Sequence, residues 1–355
     1  MGIFRLGKKN KTKPGAGIIG IDLAATGIKM VEIGQENGGF ALKHYAFATL
    51  DKTILTPINL RENLALAAEL IKTGIEQGGF SGLRVVASLP SSHVFQGVIT
   101  IQAQDKTEAE LKPLIENQMA KLLPFPVSEA VLDSRIIPQE NKEYFKIQLN
   151  AAPKTLIESY VRLFAGLGVE LLSLETETFA LIRSLVGTDQ GTILLVDIGE
   201  QRSSLVIVKA GIPLITRGIK IGGREITQTI MDSLGLGFKE AELMKRDFSY
   251  NQTKDLPPAI KTALAPVLHE IRYIINLATQ AMIEELGSID KILLTGGGSR
   301  MNGLAEYLQA EIGLNIYLGD PWNRLQVPRD GGLVLDEVGP KLAVAIGLAL
   351  RGEEL

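Results

Sequence analysis

Ile193-Leu194-Leu195-Val196-Asp197 and Ser204-Leu205-Val206-Ile207-Val208 flank a polar turn. Each run is short, continuous and rich in aliphatic and β-branched residues, which is the pattern of a buried strand, and the first run ends in a carboxylate. The same plan occurs about 175 residues earlier. There Ile18-Ile19-Gly20-Ile21 leads to Asp22, a small-residue turn follows at Ala24-Ala25-Thr26-Gly27, and a return run extends from Ile28 to Ile33. A strand, acid, turn, strand unit that recurs in this way predicts two related halves with a cleft between them, each giving a turn to one ligand.

The chemistry of these turns follows from their ends. A buried strand presents its terminal carboxylate at a fixed point, and two such carboxylates, Asp22 and Asp197, are suited to a hydrated Mg²⁺ while the turn amides meet phosphate oxygens. Lys29 stands seven positions after Asp22 on the return strand, where a cation meets a β- or γ-phosphate. Taken singly, each aspartate reads equally well as a strand-end turn former. Gly296-Gly297-Gly298-Ser299, after a strand from Lys291 to Thr295, lets backbone approach a flat ring and opens a helix whose first amides are free. In isolation the same loop reads as a flexible turn, and so does Gly222-Gly223 before a helix at Arg224. Neither a Walker loop nor a G-x-G-x-x-G that opens a Rossmann unit occurs.

The bulk composition narrows the alternatives. A chain of 355 residues with 45% hydrophobic content supports two packed domains. Lys+Arg 37 against Asp+Glu 40 gives a net charge of −3, so no overall field draws in nucleic acid. The charge is uneven, because Arg5, Lys8, Lys9, Lys11 and Lys13 place five cations and no acid in the first thirteen residues. With no cysteine, disulfides and thiolate chemistry are excluded, and the three histidines, His44, His93 and His269, lack metal-ligand spacing. No run of about eighteen apolar residues exists, so the expectation is a cytoplasmic chain that at most attaches to the inner face of the membrane.

Between the two hairpins, Asn59 and Glu62 form a capping-box pattern ahead of a helix through Leu64, Ala67, Ala68, Ile71 and Ile75. A strand follows at Arg84 to Leu89. From Val94 to about Ser173 the order strand, helix, two strands, helix, strand suggests an inserted α+β subdomain. Its first helix follows a Thr107/Glu110 box and carries Pro113, and its second opens at Pro153. Beyond the second hairpin, helices are expected at Arg224 to Leu234, Lys239 to Asp247 and Pro258 to Leu286. The final stretch is a helix through Leu304, Leu308 and Ile312 that stops at Gly313, then an apolar Leu342 to Leu350.

In this order the segments resemble the actin, heat-shock ATPase and sugar kinase superfamily, and within it the PilM family of type IV pilus assembly proteins, relatives of FtsA. The resemblance runs from Gly17 to Gly352. Ile19-Gly20-Ile21-Asp22 with Ile28-Lys29-Met30-Val31-Glu32 is similar to the first phosphate motif, and Leu195-Val196-Asp197-Ile198-Gly199 with Ser203-Ser204 to the second. Arg217-Gly218-Ile219, Gly222-Gly223 and Thr227 resemble the segment after it. Leu174 to Leu181, with Glu175 and Glu177, resembles the first connecting helix. Ala241-Glu242 with Lys245 is similar to the nucleoside-contacting helix, and Leu294-Thr295-Gly296-Gly297-Gly298 to the adenosine motif. Leu122-Leu123-Pro124-Phe125-Pro126 and Ala343 to Gly352 are also family-like.

The resemblance implies an α/β, actin-like (ribonuclease H-like), two-lobed fold with a small α+β insertion. Its parts are a basic flexible tail at 1–16, a first lobe from 17–93 and 174–190, the insertion at 94–173, a second lobe core from 191–226 and 288–355, and a helical nucleotide-contacting part at 227–287. It implies ATP and Mg²⁺ as cofactors, with Asp22, Thr26, Gly27, Lys29, Asp197, Gly199, Ser203, Gly222, Gly223, Glu242, Lys245 and Gly296 to Ser299 around the nucleotide. Asp22 and Asp197 would serve the metal. Two departures leave hydrolysis open: Ala24-Ala25-Thr26-Gly27 replaces the usual glycine and serines, and Glu200 adds negative charge where phosphates lie. Should hydrolysis occur, Glu175 or Glu177 orients the water; the competing reading of both is an exposed helix residue. The implied partner is the cytoplasmic N-terminal segment of a PilN-like bitopic membrane protein, with other platform proteins and weak self-association beside it. A small-molecule kinase and an FtsA-like filament are the alternatives, and the short acidic end Gly352-Glu353-Glu354-Leu355 differs from the basic amphipathic helix the latter expects.

Overall fold

A computed structural model describes residues 4–5, 17–24, 27–50, 60, 62–102, 108–137, 143–246, 256–280, 287–328 and 332–353. The chain divides into two compact units, Met1–Ala180 with Leu348–Leu355, and Leu181–Gly347. Each is built on one sheet.

In the first unit, strands β1 (Phe4–Arg5), β2 (Ile18–Ala24), β3 (Gly27–Glu36), β4 (Gly39–Thr49) and β5 (Arg84–Leu89) are followed, after an insertion, by β9 (Glu170–Thr176). Their order is β1-β9-β5-β2-β3-β4, with β2, β5 and β9 parallel and β2-β3-β4 an antiparallel meander. The turn into β4 places Asn37 and Gly38 in the left-handed region, which suits the twist of a tight hairpin. Helices α1 (Leu64–Gln77) and α3 (Lys154–Ala165) cover one face, burying Ala67, Ile71, Tyr160 and Phe164 against Ile19, Ile21, Leu23, Val85, Ala87 and Leu89.

The insertion is β6 (Phe95–Gln102), α2 (Glu108–Leu122), β7 (Ala130–Ile137) and β8 (Tyr144–Pro153), a three-stranded sheet in the order β6-β8-β7 with its own core around Leu111, Met119, Ile147 and Leu149. Its extent is shorter than the expected 94–173. The apolar stripe Leu156, Tyr160, Leu163 and Phe164 faces the large sheet's core, so α3 and β9 join that layer. Three further differences concern segment ends. Helix α1 starts at Leu64 with Asn63 at its cap, and the predicted cap Asn59 lies outside the described residues, as does Thr107. Within the tail expected to be flexible, Phe4–Arg5 pair antiparallel with Leu174 and Ser173 of β9. Leu348–Leu355, expected in the second lobe, group with the first unit, where Gly352 lies against Ile18 so closely that an added Cβ would overlap its side chain.

The second unit repeats the plan. After α4 (Glu177–Leu181), which ends at the boundary, strands β10 (Thr192–Ile198), β11 (Ser203–Lys209) and β12 (Ile212–Ile219) form the meander. Helices α5 (Gly223–Leu234), α6 (Phe238–Arg246) and α7 (Pro258–Gln280) follow, then β13 (Lys291–Thr295), α8 (Leu304–Ile312), β14 (Ile316–Leu318) and α9 (Gly332–Glu353). The sheet order β12-β11-β10-β13-β14 matches β4-β3-β2-β5-β9 strand for strand, and the meander turn Ala210-Gly211 is again left-handed. The repeat inferred from two hairpins is thus a repeat of whole sheets. Ile226, Ile230, Ile260, Leu264, Val267 and Ile271 pack on Leu194, Val196, Leu205 and Ile207.

Trp322 is the only tryptophan, and its indole donates from Nε1 to the Leu335 carbonyl at 2.9 Å. Gly339 faces that ring, and a Cβ there would sit 2.5 Å from Nε1. Gly339→Ala should therefore overpack the joint and destabilise the protein by about 1–3 kcal/mol. A lowered unfolding midpoint with a shifted Trp322 emission maximum is the expected result. Among the described residues no helix is long and apolar enough to cross a membrane.

Candidate functional site

In the first unit one row of side chains crosses four strands. Register pairs Asp22 with Lys29 and Ser88 with Glu175, while Ile21 pairs with Ala87, so Lys29, Asp22, Ser88 and Glu175 follow one another across β3, β2, β5 and β9. Residues in register on adjacent strands share a face, so all four emerge on the side away from α1 and α3. Asp22 is buried, with Lys29 Nζ 2.8 Å from Oδ2 and Ser88 Oγ donating to Oδ1 at 3.0 Å. Ser88 Oγ in turn accepts from the Leu23 amide at 3.0 Å. Gly27 opens β3 so close to β4 that a Cβ would overlap the Ala48 carbonyl oxygen. Thr26 lies outside the described residues.

Both glutamates differ from the exposed-helix reading. The segment Glu170–Thr176 is a strand, and Glu175 is fully buried within it; the helix starts only at Glu177. The apolar stretch Leu171, Leu172 and Leu174 favours pairing beside β5 over helix, because tertiary contact outweighs local propensity. Glu177 Oε2 accepts from the Ser91 amide at 3.2 Å and so anchors the turn after β5. Burial, with the negative charges of Glu177 and Asp22, pushes the Tyr160 phenol upward. The floor of this half is therefore acidic, offset by Lys29.

In the second unit the corresponding row is Gly218, Ser204, Asp197 and Thr295. It sits at the carboxyl ends of the parallel strands β10 and β13, where open α/β sheets bind ligands. Gly296 has φ of +82° and no room for a side chain, since a Cβ would overlap Asp197 Oδ1 and lie 2.5 Å from the Ile198 carbonyl oxygen. Gly298 meets the Ile198 side chain as closely. Gly222 faces the backbone of Glu200 and Arg202 at 2.5 and 2.7 Å. Only glycine lets these loops close on the ends of β10 and β13.

Gly223 and Arg224 donate their amides to the Gly199 and Glu200 carbonyls at 2.9 and 2.8 Å, so the first amides of α5 fasten the hairpin turn and do not stand open to an anion. Ser203 Oγ donates to the Ile221 carbonyl at 2.7 Å, and Ser299 Oγ to the Gly296 carbonyl at 2.8 Å. Both hydroxyls are buried, and they close loops where contact with a ligand was expected.

Glu242 and Lys245, one turn apart on α6, form an ion pair. Lys245 Nζ also donates to Thr227 Oγ1 at 2.6 Å and to the Gly223 carbonyl at 3.0 Å. Thr227 was not among the predicted contacts, although its place four residues after Gly223 on a helix put it on that face. Ser88, a polar residue inside the apolar run Arg84–Leu89, was likewise missed. Glu200 is held by Arg224 at 2.9 Å, which offsets the repulsion expected of it.

Within the second unit, the glycine loops at the ends of β10 and β13 and the Lys245-Glu242-Thr227 cluster are donor chemistry suited to a nucleotide; within the first, Lys29 stands beside the Asp22 carboxylate. Each Asp22 oxygen already accepts one hydrogen bond, from Lys29 and from Ser88. Among the described residues no group of three acidic or histidine side chains is placed to hold a metal.

Comparison with known proteins identifies the family and the fold. The family model for type IV pilus assembly protein PilM matches residues 20–353. A chain of a PilM-PilN type IV pilus biogenesis complex is 25% identical, with a TM-score of 0.78 over 94% of this chain and 98% of that one. MreB 5 of Spiroplasma citri bound to AMPPNP shares the fold at 14% identity and a TM-score of 0.53, over 96% of each chain. The cell division protein FtsA of Enterococcus hirae is 23% identical over 364 residues, 89% of this chain and 79% of the relative. The actin-like fold expected from the order of motifs is borne out.

Proposed function

Because this chain belongs to the family of type IV pilus assembly protein PilM, we propose that it binds ATP with Mg²⁺ and holds the cytoplasmic N-terminal segment of a PilN-like bitopic membrane protein. It would then sit at the inner face of the cytoplasmic membrane through that partner. The observation that carries the nucleotide reading is the closure of Gly296, Gly298 and Gly222 on Asp197 and its flanking backbone. Glu242, Lys245 and Thr227 supply the polar contacts to the nucleoside. Mg²⁺ would supply charge neutralisation of the phosphates, with Asp197 as the carboxylate of the second unit that would hold it; in the first unit Asp22 orients Lys29. A relative bound to AMPPNP and another in complex with PilN support the two ligands.

The anchoring of Glu177 to the Ser91 amide and the burial of Glu175 favour holding ATP over rapid turnover. Titration with a fluorescent ATP analogue tests the site. Asp197→Ala should weaken binding by at least about tenfold, the scale of one lost charge-assisted contact, whereas Glu200→Ala should change it less than about threefold. Equal effects of the two variants would refute the placement. A change in the inserted sheet, in turn, should lose the partner peptide while ATP binding persists.

A further inference from the structure

In each unit the return strand of the first hairpin brings one residue into register with the acid. In the first unit it is Lys29, opposite Asp22 and 2.8 Å from its carboxylate; in the second it is Ser204, opposite Asp197. Register alone therefore puts no cation beside the second acid. The hairpin turn brings one. Arg202 stands two positions before Ser204, and alternate residues of an extended run share a face. Its guanidinium lies over Gly218, the β12 member of the row, where a Cβ would sit 3.0 Å from Nη2. Arg202 is thus on the face that carries Asp197, away from the core that Val196, Ile198 and Leu205 form with α5 and α7.

The root of this side chain is fixed and its tip is not. The Gly199 amide donates to the Arg202 carbonyl at 2.9 Å, and Gly222 lies against the Arg202 amide nitrogen. The side chain is exposed, and among the described residues its guanidinium has no hydrogen-bond or ion-pair partner. Glu200, the nearest acid beside it in the turn, is held by Arg224 at 2.9 Å. Gly218 and Asp197 are two strand spacings apart, about 10 Å, so the guanidinium and the carboxylate share a face without pairing. Gly218 is itself informative. Its backbone is not in the left-handed region, and glycine within a strand weakens it and marks a close approach. The group that approaches is Arg202.

We propose that Arg202 is a phosphate-binding residue of the second unit, its planar fork meeting the phosphate oxygens of a nucleotide on the face that Asp197 shares. This rests on the reading of the chain as a holder of nucleotide. It adds the cation that the second hairpin lacks by register, and it gives Gly218 a purpose, which is to leave room for the guanidinium.

Titration with a fluorescent ATP analogue, followed by displacement with unlabelled ATP and with adenosine, tests this on the full chain and on full-length Arg202→Gln and Gly218→Ala. Arg202→Gln should weaken ATP by at least about tenfold, the scale of one charge-assisted contact, and adenosine, which has no phosphate, by less than about twofold. The ATP affinity of the variant should also fall less steeply with added salt than that of the parent. Gly218→Ala keeps the arginine, and its new methyl crowds only the flexible tip of that side chain. Its unfolding midpoint should hold or rise while ATP weakens by at least about threefold. Equal ATP affinity in the parent and Arg202→Gln overturns the assignment while the nucleotide reading stands, and so do equal losses for ATP and adenosine. A parent chain that binds no analogue fails the nucleotide reading itself, and the assignment of Arg202 falls with it.

Discussion

Gly296→Val should lower affinity for a fluorescent ATP analogue by at least about a hundredfold while the first unit keeps its partner-peptide binding. The residue has φ of +82° and ψ of 169°, a region essentially reserved for glycine that costs an L-residue about 1–3 kcal/mol. Strain alone accounts for roughly tenfold, since 1.4 kcal/mol is a factor of ten. The larger effect is steric. The new Cβ would overlap Asp197 Oδ1 and lie 2.5 Å from the Ile198 carbonyl oxygen; the carboxylate is a side-chain end, but the Ile198 backbone cannot swing aside. The loop must therefore retreat from the end of β10, taking with it Gly297 and Gly298, whose backbone the nucleotide reading places against the ligand. Gly296→Ala, with the same Cβ, should show most of the loss; unchanged affinity in both would remove the glycine loop from the site. Circular dichroism of the variants separates loop displacement from unfolding, because the core beneath, Leu294 with Val196 and Ile292, is untouched.

Glu32→Gln should cost about 3 kcal/mol of stability and alter the response to acid. Glu32 is fully buried on β3 and accepts hydrogen bonds from the Ser81 amide at 3.0 Å, Ser81 Oγ at 2.8 Å and the Gly82 amide at 2.7 Å, with His44 Nδ1 at 2.9 Å. It fastens the loop between α1 and β5 to the meander. Glutamine keeps the shape but replaces one acceptor oxygen by a donor, which faces donors; hydrogen bonds to a charged group are worth about 1.5–3 kcal/mol each. Burial pushes the Glu32 carboxyl up, but the donors from Ser81, His44 and Gly82 outweigh it and hold the group below its ordinary 4.5. A carboxyl lowered in the folded state contributes stability that is complete above its unfolded value and lost as pH falls through the folded one. The parent chain should therefore lose stability below about pH 4.5 more steeply than the glutamine variant, in urea unfolding at successive pH values. Parallel curves, or a loss under about 0.5 kcal/mol at pH 7, would show that the loop is held by other contacts.

Much of the fold was legible because its evidence is local. Apolar runs ending in Asp22 and Asp197, glycines at Gly296 to Gly298 and the stop at Gly313 each follow from steric or solvation rules that act within a few residues. Strand β4 is absent from the sequence reading, since Gly39–Thr49 alternates polar and apolar residues over a half-exposed surface, and Asn37-Gly38 is the signal that could have found it. The insertion's borders were misjudged because α3 has one apolar stripe whichever sheet it covers. The site divides in the same way. Carboxylates and glycines could be named from their spacing, but the roles of Ser203, Ser299 and the α5 amides depend on which carbonyl lies opposite.

The sequence by itself determined that two strand-acid-turn-strand units recur, that nothing in the described chain is a membrane-spanning helix, and that glycine loops follow apolar strands, because periodicity and backbone freedom are written residue by residue. Only the tertiary structure decided that Asp22 is already paired with Lys29 and Ser88, that Glu175 is a buried strand residue, and that Lys245 joins Glu242 and Thr227. Those facts depend on register between strands tens of residues apart, and a hydrogen bond is set by what faces a group across the sheet, which no local pattern specifies.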